Sequence, residues 1–226
     1  MQDHRSFHNK ELHVSVYGSH GRKGKRWELS GTRRQLKPAL KLAVLNPPES
    51  RFPKYNPFPK VVLGDHDTDI VKIDWDERLL TEVKRFSRLL NQRYYLDGFI
   101  ILKSSTTLHK VRDETLEKYA CQYRTSSYHT VFNRPVSYLE LISILAWLCL
   151  FTKDTKLETW FHLQLIKGTF TLRLGFKGKK KPPKIVYRFG NQHQQIAKYL
   201  SNRAFVLNFL RMEADNNVLR TKEISQ

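Results

Sequence analysis

The stretch Ile70 to Lys103, IVKIDWDERLLTEVKRFSRLLNQRYYLDGFIILK, decides the fold. From Ile70 to Trp75 the residues alternate in the pattern of a strand with two unlike faces. From Glu77 to Tyr94, Leu79, Leu80, Val83, Phe86, Leu89 and Leu90 recur at helical spacing, with charges on the other face. Leu96-Asp97-Gly98 is a turn, and Phe99 to Lys103 reads as a buried strand. Strand, helix and strand in this order call for a sheet covered by helices.

Short elements follow on both sides. Lys60 to Gly64 and Ser127 to Asn133 read as strands, and Glu114 to Tyr123 as a short helix. Ser137 is an N-cap for a helix from Tyr138 to Phe151, whose apolar residues nearly encircle it and predict burial. Trp160 to Ile166 and Phe170 to Phe176 read as strands around a turn at Lys167-Gly168. Lys184 to Arg188 is a last strand, and Ala197 to Met212 an amphipathic helix. The expected class is α+β: an RRM-like mixed, mostly antiparallel sheet with packed helices. Residues 1–36 look loosely structured, with only Leu12 to Tyr17 alternating like a strand. Residues 46–59 hold five prolines and read as an extended connector. The expected division is a basic N-terminal segment, 1–45, and one domain, 46–226.

Of 226 residues, 40 are Lys or Arg and 21 Asp or Glu, a formal charge of +19. An apolar share of 40% excludes a wholly disordered chain. The charge implies a polyanionic partner, with nucleic acid first. Two cysteines exclude a disulfide scaffold or a Cys-rich zinc module and fit the reducing cytoplasm. The longest apolar stretch, Tyr138 to Thr152, contains Glu140 and falls short of the roughly 20 residues of a membrane span, so no membrane is expected. The excess charge is uneven. Arg22, Lys23, Lys25 and Arg26 crowd the N-terminal region, and Phe161 to Gly190 has no acid but holds Lys179, Lys180 and Lys181. These seven are the candidate contacts to nucleic acid, against the plainer reading of solvated cationic faces.

Three short patterns carry chemistry. In Val71-Lys72-Ile73-Asp74-Trp75-Asp76, strand alternation puts Asp74 and Asp76 on one face, roughly 7 Å apart. Two such carboxylates suit Mg²⁺ or Mn²⁺; alternatively they are first-turn acids favouring a helix dipole. Ser127 and His129 share a strand face and offer a hydroxyl and an imidazole to phosphate. Arg173 offers a rigid guanidinium, followed by Gly175, Lys177 and Gly178. Asp65, Asp67 and Asp69 alternate too, but lack the Gly and Glu of an EF-hand loop.

Taken in order, Asp74-Trp75-Asp76, Ser127-Tyr128-His129 and Leu172-Arg173 with Lys177 resemble the motifs of the archaeo-eukaryotic primase superfamily, the fold of archaeal small primase subunits and of plasmid and viral primase-polymerases. The resemblance covers roughly residues 60–190. It implies that Asp74 and Asp76 are catalytic and hold two Mg²⁺ or Mn²⁺ ions. It implies that Ser127, His129, Arg173 and Lys177 hold the triphosphate of an incoming nucleotide. The reaction would be attack of a 3′-hydroxyl on an α-phosphate during DNA replication. The partners would be single-stranded DNA, with RNA as an alternative, nucleoside triphosphates, and a helicase or other replication protein. One departure stands out. The family carries a third carboxylate on the strand before the basic segment, and none lies between Phe161 and Leu172, so Asp154 or Glu158 would have to reach in. A noncatalytic nucleic-acid-binding replication factor descended from that fold is therefore the competing expectation. A rolling-circle nuclease ranks lower, because no two of the nine histidines are two positions apart.

Overall fold

The computed structural model describes residues 12–18, 26–45, 61–65, 67–113, 118–175 and 180–223. Its elements are β1 (Leu12–Gly18), β2 (Arg26–Gly31), α1 (Arg33–Leu45), β3 (Val61–Asp65), β4 (Ile70–Arg78), α2 (Leu80–Arg93), β5 (Gly98–Asp113), β6 (Lys118–Pro135), α3 (Tyr138–Thr152), α4 (Thr155–Lys167), β7 (Leu172–Arg173), β8 (Lys184–Gly190) and α5 (Gln195–Glu223). The fold is α+β, with two four-stranded sheets in which every pairing is antiparallel. The chain divides into two compact units. One takes Met1–Asp67, Thr171–Pro182 and Lys198–Gln226, and the other Thr68–Phe170 and Pro183–Ala197.

The first unit carries the sheet β2-β1-β3-β7. Leu12 and Val14 on β1, Leu36 and Leu40 on α1, Leu63 on β3 and Leu172 on β7 are buried. The expectation that residues 1–36 are loose is corrected for the described residues, 12–18 and 26–36. β1 pairs with β2 along its length, and α1 begins at residue 33. The signal for α1 is Thr32-Arg33-Arg34-Gln35. The Thr32 amide donates to Gln35 Oε1 at 2.9 Å while Thr32 Oγ1 accepts from the Gln35 amide at 3.5 Å, a reciprocal cap that satisfies two backbone donors. The expected boundary at 45/46 is not a seam between units, because β3 and β7, beyond it, share a sheet with β1 and β2. The proline-rich connector, 46–59, lies outside the described residues.

The second unit carries the sheet β4-β6-β5-β8. β4, α2 and β5 make a crossover, and β6 returns between the two strands, the split βαβ arrangement. Val71, Ile73, Trp75, Phe99, Ile101, Tyr128 and Phe132 point to one face. They pack against Val83 and Leu90 of α2, Leu141, Ile144, Leu145 and Leu148 of α3, and Leu157 and Phe161 of α4. Each such side chain contributes roughly 1.5–3 kcal/mol on burial. Trp75 is fully buried, and its indole N–H donates to Thr130 Oγ1 at 2.9 Å, so no polar atom is stranded with the ring. At one end of the sheet Asn133 Oδ1 accepts from the amides of Gln194 and Ile196, and its Nδ2 donates to Asp97.

Four local expectations are overturned. The helix over Glu114 to Tyr123 is strand from Lys118 onward, because β6 pairs with β5 out to Asp113–Lys118 and pairing outweighs local propensity. The strand over Trp160 to Ile166 is helix α4. Asp154 caps its start, Gly168 at φ 70° ends it, and Leu157, Phe161 and Gln164 are buried at helical spacing. The strand over Phe170 to Phe176 shrinks to Leu172–Arg173 among the described residues. The helix expected to be buried all round, α3, is capped by Ser137 as expected but leaves Leu139 76% and Leu150 78% exposed.

Candidate functional site

The site lies on the other face of the second unit's sheet. Because Ile73 and Trp75 point into the core, strand alternation turns Lys72 and Asp74 the opposite way. The register of β4 against β6 sets Asp74 directly across from His129, and that of β5 sets Leu102 across from His129 on the far side. Asp74 Oδ1 stands 3.6 Å from His129 Nε2. His129 is 4% exposed at its side chain and Asp74 28%, so the carboxylate is the solvent-facing partner of an almost enclosed imidazole. Ser127, two residues along β6 and buried, shares that face. Lys72 is fully buried one alternation upstream of Asp74, a cation the sequence reading passed over. Its signal is the parity Lys72, Asp74, Asp76 within the strand.

Asp76 is exposed, and the strand changes just there. The β4–β6 register shifts between Trp75 and Arg78, where one extra residue on β4 makes a bulge. Glu77, within it, takes φ 54°, a left-handed conformation that a non-glycine residue adopts only when its surroundings enforce it. Bulges re-aim side chains, so the simple alternation that relates Asp74 to Asp76 ends at Asp76. Glu77 is held by an ion pair with Lys156 of α4. That bond is the first cause of a raised Lys156 pKa, and Asp76 adds a smaller Coulombic share.

Of the two acids that would have to reach in, Asp154 is buried, and both oxygens are engaged. Oδ2 accepts from Arg78 Nη2 at 2.6 Å and Nε at 3.0 Å; Oδ1 accepts from the amides of Lys156 at 3.0 Å and Leu157 at 3.3 Å. It is a helix cap and an ion-pair partner at once. Glu158 is exposed in the first turn of α4. Among the described residues no three His, Cys, Asp or Glu side chains converge to hold a metal ion.

The basic segment belongs to the first unit. Arg173 is buried on β7, and its Nη1 donates to the carbonyls of Gly175 at 2.7 Å and Lys181 at 2.8 Å. Lys180 and Lys181 are exposed. Arg26 opens β2, while Arg22, Lys23, Lys25, Lys177 and Lys179 lie outside the described residues. The structure thus brings Asp74, Ser127 and His129 together and gives Arg173 a local structural task. Comparison with known protein families, curated proteins and solved structures finds no match.

Proposed function

We propose that the protein is a primase-like or primase-polymerase-like nucleotidyltransferase that adds nucleotides on a single-stranded template during replication in the cytoplasm. The observation that carries this reading is the cross-strand pair Asp74–His129 with Ser127 beside it on the same sheet face. In this reading Ser127 Oγ and the imidazole donate to phosphate oxygens of the incoming nucleoside triphosphate. Asp74, facing Nε2 of the ring at 3.6 Å, would orient it. The 3′-hydroxyl of the growing strand attacks the α-phosphate, and pyrophosphate leaves. Asp74 with Asp76 would hold a Mg²⁺ or Mn²⁺ ion, which would supply Lewis-acid stabilisation of charge on the phosphate. The cationic flanks would follow the template backbone. The test is incorporation of labelled nucleotides on single-stranded DNA with Mg²⁺ or Mn²⁺. Asp74→Asn is expected to lower the rate by about 10²-fold or more, on the scale of losing a key electrostatic group. Unchanged incorporation in Asp74→Asn would remove the assigned site.

One observation favours a second reading. The candidate third acid, Asp154, is committed to Arg78 and to the start of α4, which suits a binding factor that keeps the nucleotide-facing sheet without the reaction. Wild-type protein that binds single strands in a salt-sensitive way, yet extends none with either metal, decides for this reading.

A further inference from the structure

We infer that the outer surface of α2 together with β8 is a docking track for single-stranded nucleic acid, on the helix-covered side of the second unit's sheet, away from Asp74 and His129. A shallow groove of about 420 Å³ runs along α2, lined by Thr81, Lys84, Arg85, Arg88, Leu89 and Gln92. No acid is among these residues. The one carboxylate of α2, Glu82, accepts from the Leu79 amide and approaches Arg78 instead. Among the described residues Lys84, Arg85 and Arg88 have no carboxylate partner, so three positive charges stand on one helix face without local compensation. Residues 84, 88 and 92 climb that face in steps of roughly 6 Å.

The aromatic side of the groove argues for bases rather than for any polyanion. β8 is an edge strand that places Tyr187 and Phe189 beside the cations. Arg88 Nη2 donates to Tyr187 Oη at 2.7 Å, and its guanidinium lies over the rings of both Tyr187 and Phe189; Lys84 Nζ lies 4.3 Å from the centre of the Tyr187 ring. Phe189 is stacked on Phe99 on one side yet remains 40% exposed. Cations held in place next to a partly open ring, on an edge strand, are what a sequence-tolerant single-strand surface needs: charge for the backbone and a π-face for a base. The inference concerns binding alone and stands whether or not the protein polymerises.

The experiment measures binding of a labelled oligothymidylate to the full chain as a function of salt, with no nucleotide or divalent metal present, so that failure of the nucleotidyltransferase reading leaves it intact. The triple variant Lys84→Gln, Arg85→Gln, Arg88→Gln removes three charges from the outer side of α2 and also the Arg88–Tyr187 hydrogen bond, so its melting temperature is measured beside its binding. It is expected to lower the slope of log affinity against log salt by about 2, at roughly 0.7 per phosphate contact. Phe189→Leu is expected to weaken binding of single strands about fivefold or more and of duplex less, since only an unpaired base can stack. Asp74→Asn is expected to bind like the wild type. An unchanged slope in the triple variant overturns the inference and assigns binding to the other basic segments. Competition by polyglutamate as effective, charge for charge, as by oligothymidylate also overturns it, in favour of an acidic protein partner. If Phe189→Leu fails to fold, the surface triple variant decides alone.

Discussion

Replacing Asp154 separates a structural carboxylate from a catalytic one. Its two oxygens do different things, so two substitutions take them apart. In Asp154→Asn the Oδ1 cap of Lys156 and Leu157 can persist, while the charge facing Arg78 is gone. Breaking a fully buried ion pair costs about 3–5 kcal/mol, but the Arg78 side chain is 26% exposed and regains some hydration, so about 2 kcal/mol is the expected loss. Asp154→Ala also removes the cap, a further loss of about 1 kcal/mol. For a chain of this size each kcal/mol lowers the melting temperature by about 2–4 °C, giving roughly 4–8 °C for Asn and 6–12 °C for Ala. The assay is thermal unfolding followed by tryptophan fluorescence, since Trp75, Trp147 and Trp160 all lie in the unit that holds Asp154. Below the midpoint, the proposed nucleotide addition should be the same in Asp154→Asn as in the wild type. An Ala variant that melts like the wild type but no longer adds nucleotides would refute the reasoning and return Asp154 to the metal.

Thr130 accepts from the Trp75 indole and contacts Ser87 Oγ at 3.2 Å in the core, so Thr130→Val should cost about 1–3 kcal/mol in urea unfolding despite its matched shape. Gly98 sits at φ 130°, where a Cβ would fall 2.7 Å from Asn191 N and from Phe189 O and closer still to Asn191 O; Gly98→Ala should cost about 3 kcal/mol or more and loosen β8 from β5. By contrast Gly168→Ala at the end of α4 meets nothing within 4 Å and should cost only about 1 kcal/mol, from its φ of 70°. Burial first, then Glu158 and Asp154, push the Cys149 thiol from 9.0 up to about 11. Alkylation of Cys149, read by peptide mass spectrometry, should therefore run about 100-fold slower below pH 9 than that of an unperturbed thiol. The sign of the linkage follows. A raised folded-state pKa stabilises fully below about pH 9, and that share is lost as pH rises to about 11, so unfolding monitored across this window should show a decline that Cys149→Ala lacks.

The second unit was legible where a pattern had one meaning. Ile70 to Trp75, Glu77 to Tyr94 and Phe99 to Lys103 became β4, α2 and β5 because apolar period and element length agree there. Trp160 to Ile166 was misread because Trp, Phe, Leu and Ile recur at alternate as well as at helical positions. The deciding features lie outside the run, in Asp154 before it and Gly168 after it. Lys118 to Tyr123 could not be read locally at all, since its strand state comes from pairing with residues up to Asp113. α1 was legible in principle: Thr32 to Gln35 is a capping box, hidden by the glycines before it and by Pro38 inside the helix.

For the candidate site, parity was readable and register was not. That Asp74 faces away from Ile73 and Trp75 follows from alternation. That it meets His129, rather than Ser127 or Val131, follows from which residue of β6 lies opposite, and a one-residue slip would have turned the strand's polar set into the core. The core fixes that choice: only this register gives Trp75 its Thr130 acceptor while Val71 and Ile73 stay buried with Phe132. The polar pair is thus a consequence of the packing on the opposite face, and the indole hydrogen bond reports on both. Arg173 shows the limit of the same logic. Its position on a strand was anticipated, but its guanidinium meets backbone carbonyls, those of Gly175 and Lys181. A residue type suited to phosphate is equally suited to a carbonyl, and only the local chain path decides which it meets.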